Sequence, residues 1–227
     1  GAQSVRDGVA TAVRELGSTP LIGFGGAPFT LAAYMVEGRP SRDHMAARTL
    51  AASDPGAWDA LMSWCARVSA DFITSQIEAG ASAVQLFDSW VGSLSPRTYR
   101  ESVAQRVAGA VSPVTGERVP LIHFGTGSAP ILADMAEVGA NCVGVDWKTD
   151  LLWAIAQVPG KAVQGNLDPA LLQAPWPVIE QAVRDILDAG RSAPGHVFNL
   201  GHGVPPTTDP DVLTRIVELV HELGDAR

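Results

Sequence analysis

Two side chains in this 227-residue sequence stand out by type and setting. Tyr34 follows a glycine-rich turn in GFGGAPFTLAAYMVEG (residues 23–38), among Leu31, Ala32, Ala33 and Met35. Its hydroxyl needs a partner if buried, and free it can donate to a ligand. His202 sits between Gly201 and Gly203, in a loop where backbone can approach a ligand. Further polar residues recur just after short apolar runs: Asp88-Ser89-Trp90, Gly125-Thr126-Gly127, Asp146-Trp147, Asn166 with Asp168, and Asn199. A carboxylate pair such as Asp88 and Asp146 would suit glycoside hydrolysis, although no Glu occupies such a position.

Plainer roles compete for several of these residues. Asp168 before Pro169 reads as a helix cap and Trp147 as packing. Asp146 could pair with a neighbouring strand end, and Asn199 could satisfy exposed backbone. His123 lies within an apolar run, which predicts a hydrogen-bonded core histidine; His44 and His221 give no signal.

The glycine-rich stretch is not a nucleotide loop. Gly23 and Gly25 fit the first half of a dinucleotide fingerprint, but Pro28 stands where the third glycine is required. No Gly-Lys-Ser/Thr segment makes a phosphate loop.

The elements that position these residues are short and regular. Runs at 20–24, 83–87, 120–124, 142–146, 161–165 and 196–200 are nearly continuously apolar, as in strands covered on both faces. Helical patterns fill the intervals, over about 3–16, 96–111, 128–138, 176–189 and 210–223. Another opens at Ser53-Asp54-Pro55 and carries Leu61, Trp64, Val68 and Phe72 on one stripe. Alternation of this kind means βαβ units and a parallel sheet. Six units fall two strands short of an eight-stranded barrel, and an open doubly wound sheet fits the count equally well. Both architectures put chemistry at the carboxyl ends of the strands.

The totals narrow the function classes. Hydrophobic residues at 46% and charged ones at 18% describe an ordinary globular chain. A net charge of −8 argues against non-specific nucleic-acid binding. No run of 18 apolar residues crosses a membrane, and the start lacks a basic-then-apolar leader. Beginning without Met, in what reads as mid-helix, the sequence is expected to be truncated or processed. Cys65 and Cys142 lie far apart and are expected as buried free thiols of a reducing compartment.

Several segments together resemble the uroporphyrinogen decarboxylase family. GFGGAPFTLAAYMVEG is similar to its internal signature at nearly every defined position. QLFDSWVGSLSP (85–96), GVDW (144–147), QGNLDP (164–169) and NLGHG (199–203) follow in the family's order and spacing. The resemblance implies a (β/α)8 TIM barrel, represented here by about six βα units with the first strands missing. Residues 1–227 would then be one domain, the C-terminal two-thirds of that barrel. The implied activity is cofactor-independent removal of the four acetate carboxyl groups of uroporphyrinogen, giving coproporphyrinogen in porphyrin and heme biosynthesis. By position, Tyr34 matches the family's active-site tyrosine, both catalytic and substrate-binding. Ser89 matches a hydroxyl that binds a substrate carboxylate, Phe87 an aromatic lining the cleft, and His202 a histidine at the far rim. A cytoplasmic homodimer without metal or organic cofactor, binding no nucleic acid or membrane, completes what the resemblance implies.

One departure bears on activity. The family's arginine-rich motif (Met-Arg-Gln-Ala-Gly-Arg-like) and its essential aspartate have no counterpart in these residues. Asp88 occupies the place beside Ser89, where the family carries an acid without the central role. The chain alone is therefore expected to be inactive. A degenerate barrel that binds porphyrin or a partner without catalysis is the alternative. Zinc- and cobamide-dependent methyltransferases of the same superfamily are a further rival. They need a His-x-Cys pair and a late Cys, whereas here His123-Phe124-Gly125 lacks the thiolate and no Cys follows Cys142.

Overall fold

A computed structural model describes residues 2–115 and 119–225. They form two compact units, one running up to Cys142 and the other from Val143 onward. The first contains α1 (Ala2–Leu16), β1 (Ile22–Gly26), α2 (Pro28–Glu37), α3 (Met45–Ser53), α4 (Pro55–Glu78) and β2 (Ala83–Phe87). It continues through α5 (Pro96–Ser102), α6 (Ala104–Thr115), β3 (Leu121–Phe124) and α7 (Leu132–Glu137). The short β4 (Cys142–Gly144) lies at the junction. The second unit holds α8 (Leu151–Gln157), β5 (Ala162–Gln164), α9 (Trp176–Gly190), β6 (His196–Val197) and α10 (Pro210–Asp225). The strands fall within two residues of the apolar runs at their starts. The last three are shorter than those runs, and pairing near β6 resumes only as an isolated Leu167–Leu200 bridge.

Within the first unit β1, β2 and β3 are neighbours in sequence order and run parallel. Gly25 aligns with Leu86, and Leu86 with His123, on the face covered by helices. The glycines let α4 come close: a Cβ on Gly25 would lie 3.0 Å from Ile73 Cγ1, and one on Gly23 3.1 Å from Gln76 Oε1. The opposite face carries Phe24, Phe87 and Phe124. In the second unit β5 and β6 are parallel. The α/β class with parallel strands is thus as the sequence predicts.

The stripe expected on α4 is a correction. Leu61 packs on the core, but Trp64, Val68 and Phe72 are 47%, 39% and 36% exposed. The buried face is rotated by one residue and includes Trp58, Met62, Cys65, Ser69, Ile73 and Gln76. Its polar members explain the rotation. Ala27 N–H donates to Phe87 O, so alternate residues of β1 bond β2 while Phe24 and Gly26 turn their backbones to the free edge. Gln76 accepts from Phe24 N–H (3.0 Å) and donates to Phe24 O (2.7 Å), and Ser69 donates to Gly26 O (2.6 Å). Satisfying a strand edge outweighs burying three larger apolar side chains here, because unpaired backbone groups are costly to bury.

Each unit has its own core. Phe29, Met62, Leu86, Leu121, Ile131 and Met135 are fully buried in the first, and Leu167, Ile179 and Val183 with Leu172 in the second. Every such side chain contributes about 1.5–3 kcal/mol. Cys65 and Cys142 are free and buried, and burial pushes their thiols up to about 11 and about 12. Asp54 caps α4 through Ala57 N–H with Pro55 in its first turn, and Asp168 accepts from Ala170 N–H, as their Asp-Pro pairs predict.

Candidate functional site

The first unit presents two strand exits side by side. Beyond β1 the chain turns at Ala27 into α2, whose first residue is Pro28. Tyr34 therefore lies in the second helical turn. Gly38 ends the helix in the left-handed region, at φ 64°. The Tyr34 side chain is half exposed, and its ring stacks on Trp90 with centroids 3.7 Å apart and 24° between planes. Trp90 also stacks with His44 at 4.4 Å. His44, which gave no signal in the sequence, is 4% exposed, and neither ring nitrogen has a hydrogen-bond partner among the described residues. Burial lowers its pKa, against the opposing pull of Glu37 and Asp43.

Beyond β2 come Phe87, Asp88, Ser89 and Trp90. Phe87 is half-buried and sits edge-to-face with Phe24 (5.8 Å) on one side and Phe124 (6.0 Å) on the other. An aromatic ladder thus crosses the open face of β1, β2 and β3, with Phe24 57% exposed at its end. Ser89 is half-buried, and its carbonyl accepts from Thr126 Oγ1 at 2.6 Å. Gly92 packs on the same loop, where an added Cβ would lie 2.2 Å from Thr126 O. This stretch of chain is pinned by its neighbour after β3.

Asp88 points away from solvent altogether. It is fully buried, accepts from Thr30 Oγ1 at 2.9 Å, and lies 3.5 Å from His123 Nε2. His123 is a core residue as expected. It is not hydrogen-bonded, however, and both ring nitrogens lack partners among the described residues. Tyr99, fully buried nearby in the same core, likewise has a hydroxyl without a partner. Burial first, then the charges of Asp88 and Asp134, raise its pKa well above the usual value.

In the second unit His202 is exposed and meets Trp147 edge-on at 5.4 Å. Lys148 Nζ lies 4.9 Å from the same indole. Gly201 is buried against Trp147, and its N–H donates to Leu167 O at 2.7 Å. Asp146 is buried and accepts from Thr149 Oγ1 (2.8 Å) and Lys148 N–H (3.2 Å), which shapes its own turn. Asn166 donates to the carbonyls of Asp146 and Thr149. Trp147 thus does more than pack: it is the surface on which His202 and Lys148 gather.

Of the four residues singled out from the sequence, Tyr34, Phe87 and Ser89 stand at adjacent strand exits in the first unit, and His202 belongs to the second. Trp90, Phe24, Phe124 and His44 were missed as partners. Trp90 could have been found, since an aromatic directly after Ser89 at a strand end faces the helix after the previous strand. His44 carried no such signal. Among the described residues no group of three His, Cys, Asp or Glu could hold a metal ion.

Comparison with known proteins agrees with the resemblance. The family model described as uroporphyrinogen decarboxylase (URO-D) matches residues 1–223. A uroporphyrinogen decarboxylase from Arthrobacter sp. (strain FB24) is 55% identical over 223 residues, covering 98% of this chain and 65% of the relative. That from Streptomyces coelicolor is 57% identical over 209 residues, 92% of this chain and 59% of the relative. The chain thus spans about three-fifths of the length of the curated relatives it matches. Among solved structures, a methyltransferase from Methanosarcina mazei superposes with a TM-score of 0.84 at 21% identity, over 96% of this chain and 64% of that one. A B12-independent methionine synthase from Shewanella sp. W3-18-1 gives 0.69 at 10% identity, over 98% and 68%. Those two likenesses concern the fold alone. With the family model matched over nearly every residue and close relatives at 55% and 57% identity, this chain belongs to the uroporphyrinogen decarboxylase family.

Proposed function

We propose that this chain supplies part of the cleft of an enzyme that decarboxylates the four acetates of uroporphyrinogen to give coproporphyrinogen. Family membership carries this reading, and the half-exposed Tyr34 beside Phe87 and Ser89 at two strand exits supports it. The substrate is a ring of four pyrroles bearing eight carboxylates. Loss of CO2 from an acetate needs an electron sink, which protonation of the adjacent pyrrole carbon creates in the ring itself. No organic cofactor is then called for.

In this reading Phe24, Phe87 and Phe124 form an apolar floor for pyrrole rings. The Tyr34 hydroxyl donates beside the reacting acetate, and the Ser89 hydroxyl binds a carboxylate. By the family resemblance His202 binds another carboxylate, and Lys148, beside the same Trp147 ring, adds a positive charge there. The chemistry also demands a carboxylate facing the pyrrole N–H groups and arginines for the remaining acids. Asp88 and Asp146 cannot be that carboxylate, since both are buried and engaged by neighbours. By the family resemblance the central carboxylate and the arginines belong to a motif with no counterpart in these 227 residues, and in this reading the chain by itself is inactive. Assembly as a cytoplasmic homodimer and a single barrel domain belong to the same reading.

A coproporphyrinogen-forming assay tests it in two arms. Turnover by these 227 residues alone would refute the claim that the central carboxylate lies elsewhere. In a protein that also contains the missing motif, Tyr34→Phe should lower kcat by about 10–100-fold, the worth of one well-placed hydrogen bond to a charged group. An unchanged kcat there would remove Tyr34 from the mechanism.

A further inference from the structure

Thr30 and Asp88 lie behind Tyr34, and the reading above gives neither a role. Both are buried, at 6% and 0% exposure. The Thr30 hydroxyl has a single proton, and it goes to Asp88 Oδ1 at 2.9 Å. That leaves the oxygen to accept the Trp90 backbone N–H at 3.3 Å. The hydroxyl thus donates to Asp88 and accepts from Trp90. It joins the first turn of α2 to two points on the chain leaving β2. Ser89 lies between those two points. Tyr34, one turn further along α2, stacks on Trp90.

We propose that Thr30 and Asp88 are a positioning pair. Together they hold Trp90 where Tyr34 stacks on it, and they keep Ser89 in a fixed place relative to Tyr34. Two elements that meet only after a separation of 58 residues in sequence are tied at one atom. The backbone bond from Ala27 N–H to Phe87 O also joins the start of α2 to the end of β2, but it stops short of Trp90, whose N–H has Thr30 as its partner. Only the consequence for catalysis rests on the proposed function. The tie itself does not.

Thr30→Val keeps the shape and removes the hydroxyl, so it should leave Trp90 N–H and Asp88 Oδ1 without partners. The Trp90 contribution to the near-UV circular dichroism, defined by difference from Trp90→Phe, should fall at least twofold. Exchange of the Trp90 amide should rise at least tenfold, while the far-UV melt stays cooperative. Thr30→Ser and Asp88→Asn, which retain the hydroxyl and the accepting oxygen, should restore both signals. A folded Thr30→Val protein with unchanged band and unchanged exchange would overturn the proposal. If Thr30→Val fails to fold, the unsubstituted protein decides. A Trp90 amide protected in it and in Asp88→Asn supports the tie, and one exchanging like an exposed loop amide refutes it. These signals report geometry without turnover, so their failure is distinct from failure of the decarboxylase reading.

Discussion

Gly201→Ala tests whether the His202 loop is held by contact with Trp147. An added Cβ would lie 2.2 Å from Trp147 N, 2.6 Å from its Cα and 2.7 Å from its Cβ. Ordinary contact begins at 3.4 Å, so the loop must retreat by about 1 Å. Two of the three atoms are backbone, which no side-chain rotation relieves. Gly201 does not have a positive φ, so the penalty comes from space rather than from backbone conformation. A retreat of that size breaks the 2.7 Å bond from Gly201 N–H to Leu167 O. Overpacking costs about 1–3 kcal/mol, and a buried group left unpaired costs about 1–3 kcal/mol. The two overlap, giving about 2–5 kcal/mol and a fall in Tm of about 5–15 °C. Gly203→Ala is the control, two residues away in the same loop with nothing within 4 Å. It should change stability by less than about 0.5 kcal/mol. Melts of both variants by far-UV circular dichroism decide the matter. A Gly201→Ala melt matching that of Gly203→Ala would refute the claim that Trp147 positions this loop.

Gly92→Ala meets Thr126 O in the same way and should destabilise by about 2–4 kcal/mol, loosening the Ser89 loop; a melt within about 0.5 kcal/mol of the parent would sink this. Tyr99→Phe removes a buried hydroxyl without a partner and should be neutral or stabilising by up to about 1 kcal/mol, so a loss above that in denaturant titration would reveal a missed partner. Because burial lowers the His44 pKa, the folded state binds its proton less readily than the unfolded chain. Stability should therefore be intact above pH 6.5 and decline as pH falls below it, less steeply in His44→Phe. Both thiols should resist a thiol reagent at pH 8 in the folded protein and react fully after unfolding; fast labelling of the folded chain would contradict their burial.

Legibility in the sequence followed locality. Strand runs and Asp-Pro helix starts were readable because backbone preference and burial act over a few residues, as at Asp54 and Asp168. The α4 stripe misled because helical periodicity cannot tell which face must satisfy a strand edge. Only the fold brings Gln76 and Ser69 to the backbone of β1. Tyr34 and His202 stood out by type and setting, and Phe87 and Ser89 through motif resemblance, while His44 and Thr30 did not. Their roles depend on Trp90, more than forty residues away, and no local pattern encodes that contact.

Alternation along β2 separates the residues around Ser89 into two kinds. Val84 and Leu86 are buried on the helix side, where Gly25 meets Ile73, whereas Phe87 lies on the open face in the aromatic ladder. Asp88 N–H bonds Phe124 O, so the pairing continues one residue past β2 and carries Asp88 to the helix side. There it reaches Thr30 and His123, and solvent does not reach it. An acidic residue next to Ser89 is thus withheld from the open face by strand parity alone. A shift of one residue in register would expose Asp88 and bury Phe87, exchanging a carboxylate for an aromatic on the floor. For the octa-anionic substrate proposed above, that exchange would weaken binding twice over. The geometry that hides Asp88 is the same geometry that frees it to hold Thr30.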